Sequence, residues 1–216
     1  MLFKEDQVAR AQHAAVRNNV GWYRWNHDLV EVTGADATRL LDVIFVTSIA
    51  TTPAGSSKYT TMLDEEGHII DDVIVTRLGE QHYWVSTLYG PRLTAWLDRH
   101  KGDLDVEYRE ITREVAMVAV QGPNSRALVN RLADEPVDAL KRFTIVDGKI
   151  GDMAVRIHRG GFSGELGYEI MCAMADLAAL EAAIAQAGEE LDAVHLTVLE
   201  VYDRGLPGEK GLPLRQ

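Results

Sequence analysis

Apolar residues recur along this chain with both helical and strand periods, and the alternation between the two predicts a mixed α+β protein. Residues 15–19 are helix-like. Leu40, Leu41, Ile44 and Phe45 stand at helical spacing behind Gly34-Ala35-Asp36, which predicts a helix over about 36–47. After the loop Pro53-Ala54-Gly55-Ser56-Ser57, segments 59–63 and 69–78 read as a hairpin around Asp64-Glu65-Glu66-Gly67. A strand over 82–87 follows, then a helix over 91–100 with Leu93, Trp96 and Leu97 inward, then a strand over 104–111. Residues 115–120 form an apolar strand that Gly122-Pro123-Asn124 breaks before a helix carrying Leu128, Val129 and Leu132. Strands at 143–146 and 153–157 are joined by a turn at Asp147-Gly148, and 168–171 is another strand. Asp176 is placed to cap a helix reaching about Gln186 with Leu177, Leu180 and Ile184 buried, and a last helix covers 195–202. The chain shows no internal repeat.

Two segments break this regular pattern. Between His158 and Tyr168, Gly160, Gly161, Gly164 and Gly167 crowd into one loop, with Glu165 and Glu169 at its exit. Glycine admits positive φ and close backbone approach, so such density marks a shaped loop, which is a turn in its plain reading and a ligand loop in the functional one. The other is Ile69-Ile70-Asp71-Asp72-Val73-Ile74-Val75, where adjacent aspartates interrupt a strand. Successive strand residues point to opposite faces, so Asp72 sides with Ile70 and Ile74 while Asp71 sides with Ile69, Val73 and Val75. Both faces are apolar, so at least one carboxylate lies in a poorly solvated place and needs a donor partner or a shifted pKa.

These segments join others in a fixed order: Val30-Glu31-Val32-Thr33-Gly34-Ala35-Asp36-Ala37, Tyr59-Thr60-Thr61-Met62-Leu63-Asp64-Glu65-Glu66-Gly67, the Asp71-Asp72 strand, Val118-Ala119-Val120-Gln121-Gly122-Pro123, the Gly-rich loop, and Glu209-Lys210-Gly211-Leu212-Pro213-Leu214. The set resembles the folate-binding aminomethyltransferase family of the glycine-cleavage T-protein and its demethylating relatives, over most of the chain from about Ala15. The resemblance implies two mixed or antiparallel sheet domains with flanking helices. Residues 1–29 and 115–216 would form a discontinuous folate-binding domain, and 30–114 a second α+β domain. By the same resemblance the family's C-terminal barrel-like domain is missing after Gln216, which leaves an excised core, a natural short form or an incomplete gene model open.

The chemistry implied by the resemblance is transfer of a methyl or aminomethyl unit from a small amine, ether or sulfonium donor to tetrahydrofolate. Asp72 maps to the catalytic aspartate beside the reacting folate nitrogens. Glu169 maps to the glutamate that holds the pterin, with the pterin between the Gly-rich loop and the Asp72 strand. Trp84, Ser86, Tyr59 and Arg204 map to further folate contacts. Tyr23, His27 and Asp28 map to the donor side, within Gly21-Trp22-Tyr23-Arg24-Trp25-Asn26-His27-Asp28. This segment departs from the T-protein pattern except at the glycine and His27, which favours a relative with another methyl donor over a T-protein proper. A lipoyl carrier protein is a possible partner by the same resemblance. Trp22, Tyr23 and Trp25 either fill a core or form an aromatic wall, which would suit a quaternary donor through cation–π contact.

Composition narrows the classes. A formal net charge of -11 argues against nucleic acid or an anionic membrane as the main partner. A polyanionic folate would then need local positive charge, for which Arg159, Arg204 and Lys210 are candidates. No apolar run is long enough to span a bilayer and no signal peptide opens the chain, which points to a cytoplasmic setting. Cys172 is the only cysteine, so there is no internal disulfide and no multi-thiolate metal site; on a strand it reads as a small buried hydrophobe. The histidines show no metal-ligand spacing, His68 reads as solvated, and no metal is expected. Two rival readings stay open: a non-enzymatic folate-binding protein of the iron–sulfur-assembly type, and an inactive remnant.

Overall fold

A computed structural model describes residues 6–211, so Leu212-Pro213-Leu214 of the last motif fall outside the described residues. The chain opens with α1 (Gln7–Asn18), whose first turn is capped by the Asp6 carboxylate accepting from Ala9 N at 2.9 Å, and β1 (Gly21–Arg24). Next come β2 (Asp28–Thr33), α2 (Ala37–Ile44), β3 (Ser56–Leu63), β4 (Ile69–Gly79), β5 (His82–Thr87), α3 (Gly90–Lys101) and β6 (Glu107–Glu110). The remainder is β7 (Val115–Gln121), α4 (Ser125–Leu132), β8 (Ile145–Ile150), β9 (Met153–His158), β10 (Gly167–Ala173), α5 (Leu177–Gly188), β11 (Val194–His195), a π-helical turn over Val201–Gly205 and α6 (Leu206–Glu209). These elements divide into two units. A composite one takes the chain through Trp25, Ala116–Arg142 and the residues from Val146 on; an inserted one takes Asn26–Val115 with Phe143–Ile145.

The inserted unit is an antiparallel sheet in the order β3-β4-β5-β2-β6. Its register aligns Thr60 with Val73, and Val75 with Val85 and Val30, on one face. That face is apolar and packs on Leu40, Leu41 and Ile44 of α2 and Leu93 and Leu97 of α3. The other face carries Tyr59, Ile74, Ser86 and Leu29 in one row and Thr76, Trp84 and Glu31 in the next. Helix α3 begins with Pro91 in its first turn and ends with Arg99, His100 and Lys101, both favourable at those termini.

The composite unit is a mixed sheet in the order β11-β1-β7-β10-β9-β8, with β1 parallel to β11 and antiparallel to β7. Trp22, Val118, Val120, Ile157, Tyr168, Ile170 and Cys172 form one core with Leu128, Val129, Leu180 and Ile184. Tyr23 and Ala119, on the opposite face, pack with Ala9, Val16, Leu196, Val201 and Leu206. Cys172 is a buried member of the first core, as its strand position predicts. No helix of the described residues is long and apolar enough to cross a membrane.

The α+β class and the alternating faces follow the sequence; several boundaries differ for identifiable reasons. The strand expected over 104–111 is confined to β6 because Asp105 turns back on the 34–36 loop, its N–H donating to Asp36 Oδ2 at 3.0 Å and its carbonyl accepting from Asp36 N at 3.1 Å. Gly148 continues β8, and the turn lies at Gly151, whose φ is +57°. Asp176 ends a short 3₁₀ turn and makes no side-chain cap bond. The expected final helix starts late, since Val194 N and Leu196 N donate to Val20 O and Trp22 O and hold that stretch as an edge strand beside β1.

Candidate functional site

Strand alternation separates the two aspartates chemically. Both are 6% exposed, but Asp71 stands on the helix-covered face of its sheet and Asp72 on the other. Asp71 accepts from the Thr87 hydroxyl and, at 2.9 Å, from Asp72 N, so its partners are fixed parts of the fold. Asp72 accepts from the Tyr59 hydroxyl at 3.1 Å through Oδ2. Tyr59 reaches it diagonally across β3 and β4, since Tyr59 pairs with Ile74 and Thr61 with Asp72. A shift of register between Met62 and Leu63 then ends the regular ladder just beyond the pair. The result is one structural carboxylate and one, 13 residues from its phenol partner, placed on the face that also bears Ser86 and Trp84.

The composite unit holds the second constellation. Gln121, at the end of β7 and fully buried, donates through Nε2 to Gly160 O at 3.1 Å and Tyr168 O at 3.4 Å, and accepts from Ser163 Oγ at 2.7 Å. A Cβ on Gly161 or Gly167 would fall 2.2 Å from this amide, and one on Gly160 would fall 2.3 Å from the His158 ring. A Cβ on Gly164, whose φ is +76°, would fall 2.2 Å from Lys210 Cγ, so the glycine density serves close packing on three protein side chains, Gln121, His158 and Lys210. Arg17 ties the same loop to both ends of the unit: its guanidinium donates to Ser163 O at 2.7 Å, Glu165 at 3.1 Å, Leu206 O at 2.8 Å and Glu209 at 3.2 Å.

Glu169 leaves the loop on β10, directly opposite His158 on β9, and its Oε2 lies 2.7 Å from His158 Nδ1. His158 is 2% exposed and Glu169 retains 12%. Tyr23 projects from β1 on the same face, buried and stacked at 4.2 Å on Tyr202 of the π-helical turn. Burial, then the Glu169 carboxylate, Tyr202 and Asp203, push the Tyr23 phenol well above its ordinary value, so it stays protonated. Trp25 tilts against Tyr23 at 5.6 Å and against Phe162 of the loop at 6.4 Å. Trp22 leaves this wall: it points into the opposite core and stacks on His195 at 4.0 Å.

The other residues singled out from the sequence have defined positions. His27 Nδ1 lies 3.1 Å from Ser86 Oγ, which links the end of the β1–β2 connection to β5. Asp28 Oδ2 accepts from Gly90 N at 2.7 Å and so anchors the start of α3, a bond that no local motif announces. Trp84 Nε1 donates to Glu31 at 3.3 Å, and Glu31 also meets His82 at 2.9 Å and Arg109 at 3.0 Å. Arg204 is 69% exposed and nearest Asp203 at 3.8 Å, Lys210 pairs with Glu165 at 3.0 Å, and Arg159 donates to Leu140 O at 2.6 Å. Each of the three expected cations thus has an intramolecular partner. His68 is exposed, with Nδ1 3.0 Å from Asp64; with Glu66 these residues could reach one ion, but Asp64 Oδ1 already accepts from Glu66 N and His68 N in the hairpin turn. Thr87, Gln121, His158 and Tyr202 escaped the sequence reading, because each acts on a residue distant along the chain.

Comparison with known proteins identifies the fold and the family. The chain is 30% identical over 186 residues to the aminomethyltransferase of Bacillus licheniformis, a match covering 84% of this chain and 50% of that protein. It therefore spans about half the length of the curated relative it matches. The fold is that of the glycine cleavage system aminomethyltransferase T from Bartonella henselae, with a TM-score of 0.82, 24% identity, and coverage of 95% of this chain and 55% of that one. A chain of the heterotetrameric sarcosine oxidase from Corynebacterium sp. U-96, solved in complex with pyrrole 2-carboxylate, shares the fold at a TM-score of 0.64 and 13% identity, over 88% of this chain and 95% of that one. The family model for the GCVT N-terminal domain matches residues 3–200, and the chain belongs to that family.

Proposed function

We propose that this chain binds tetrahydrofolate and supports transfer of a one-carbon unit, methyl or aminomethyl, from a small amine, ether or sulfonium donor. The observation that carries the reading is Asp72: a buried carboxylate on the face of its sheet away from the helices, oriented by the Tyr59 hydroxyl, in a chain of this family. Tetrahydrofolate, when bound, supplies the amine nitrogen that receives the one-carbon unit. Asp72 accepts a proton from that nitrogen or faces the developing cation, and Tyr59 holds the carboxylate in one orientation for either task. Glu169 takes the pterin edge, since a carboxylate accepts parallel N–H donors. The site residues fit this: the two oxygens of a carboxylate offer about four acceptor positions, and His158 engages only Oε2 of Glu169.

Calorimetric titration with tetrahydrofolate tests the binding, and transfer assays over a panel of donors test the chemistry. Glu169→Ala is expected to weaken binding by more than about tenfold, or 1.4 kcal/mol. Asp72→Asn is expected to lower transfer by about 10²–10⁴ while binding stays within about threefold. Absence of saturable binding by the unaltered chain would refute the reading, and so would full transfer activity in Asp72→Asn.

A further inference from the structure

Glu169 stands opposite a buried imidazole, and the chain has made room for that ring. His158 and Glu169 are register partners across β9 and β10, so their side chains emerge side by side on one face. Nδ1 and Oε2 approach to 2.7 Å, while His158 is 2% exposed and Glu169 keeps 12%. Two residues along from His158, the chain must turn back over the ring. An added Cβ at Gly160 would stand 2.3 Å from His158 Cε1 and 2.7 Å from Nδ1, so any larger residue there displaces the imidazole. The Gly160 carbonyl is fixed in turn by the buried Gln121 amide at 3.1 Å. Loop, ring and carboxylate form one rigid stack: Gln121 holds Gly160, Gly160 leaves room for His158, and His158 holds Glu169.

We propose that His158 is the positioning residue of the pterin-holding carboxylate, an inference that rests on the folate reading above. With Nδ1 as donor, His158 fixes one Glu169 oxygen and presents the remaining acceptor positions to a ligand in a single orientation. Without that bond Glu169 samples other rotamers, and part of the binding energy is spent on ordering it. The ligand chemistry this suits is a planar heterocycle with adjacent N–H donors, such as a 2-amino-4-oxo-pterin edge. The glycine at position 160 is then a requirement of recognition as well as of loop shape.

Two nearly isosteric substitutions separate donation from space-filling. His158→Asn keeps an N–H donor near the Nδ1 position and His158→Leu does not, whereas both lose the rest of the ring. Calorimetry with tetrahydrofolate is expected to show His158→Leu binding at least about tenfold more weakly than the parent, with His158→Asn recovering most of that loss. Gly160→Ala is expected to weaken binding in the parent and to add little in the His158→Leu background, because the displaced ring is already gone. Melting curves on the same variants identify any that fail to fold; if His158→Leu does, Gly160→Ala in the parent and His158→Asn carry the test, and tetrahydrofolate binding unchanged in Gly160→Ala overturns the proposal. Equal weakening by Asn and Leu overturns the proposal in favour of ring shape alone. Parent binding that Glu169→Ala weakens and His158→Leu leaves unchanged overturns it while the folate reading stands. No binding by the parent overturns both.

Discussion

Replacing Asp71 with alanine tests whether the adjacent aspartates have the separate roles their faces assign. The change removes the acceptor for the Thr87 hydroxyl, itself fully buried, and for the Asp72 N–H. Two donors stranded away from water cost about 1–3 kcal/mol each, and relief from burying the carboxylate offsets part of that, leaving a net loss of about 2–4 kcal/mol. Asp72→Asn keeps an oxygen for the Tyr59 hydroxyl and is expected to cost under about 1 kcal/mol. Urea denaturation reads the difference. With a slope of about 1–3 kcal/mol/M, Asp71→Ala should lower the midpoint by about 1–2 M and Asp72→Asn by much less. Asp72→Asn destabilising as much as Asp71→Ala would refute the assignment, as would an Asp71→Ala loss below about 0.5 kcal/mol.

Three further outcomes are expected. Gln121→Leu preserves volume but removes the bonds to Gly160 O, Tyr168 O and Ser163 Oγ, so amides of residues 160–167 should exchange markedly faster while those of the inserted unit do not; unchanged exchange in the loop would refute its role. Burial raises the Glu31 pKa, but His82, Trp84 and Arg109 outweigh it and hold the carboxyl below its ordinary value. Its stabilisation is therefore complete above pH 4.5 and lost as pH falls through the folded value, so the pH dependence of Glu31→Gln melting should be flatter there than the parent's. Burial, then Asp176 and Glu181, push the Cys172 thiol up to about 11, and alkylation of the folded chain at pH 8.5 should be at least about 100-fold slower than in denaturant; stoichiometric labelling within minutes would count against the buried position.

Much of this was legible from periodicity, and the rest required partners the sequence does not place. Alternation put Asp71 and Asp72 on opposite faces, but both faces of β4 carry apolar residues. Which of them meets the helices depends on the packing of α2 and α3, so the division of labour emerged only from the structure. The Gly-rich loop was recognisable as shaped, whereas the objects that shape it come from the end of β7, from β9 and from Lys210 after α6. Asp28 illustrates the same limit: it lies in a segment assigned to the donor side by resemblance, and its hydrogen bond is made to a helix start 62 residues away. The aromatic run divided as alternation requires, with Tyr23 and Trp25 in one cluster and Trp22 in the opposite core.

The position of β1 has a consequence for biosynthesis. It is made before both of its hydrogen-bonding partners: β7 follows the whole inserted sheet, and β11 lies near the end of the described residues. The inserted unit closes most of its ladders from contiguous chain and needs only Phe143–Ile145 from later residues, which bond to Gly55 and Ser57. It is able to collapse first, while Gly21–Arg24 remains an unsatisfied edge in a nascent chain. Loop closure over such separations slows pairing, so the late step of maturation is capture of that early strand. The hand-over falls at Trp25–Asn26, where the chain passes from the composite unit to the inserted one. A chaperone guarding unpaired edges would therefore stay longest on Gly21–Arg24, until β7 has emerged.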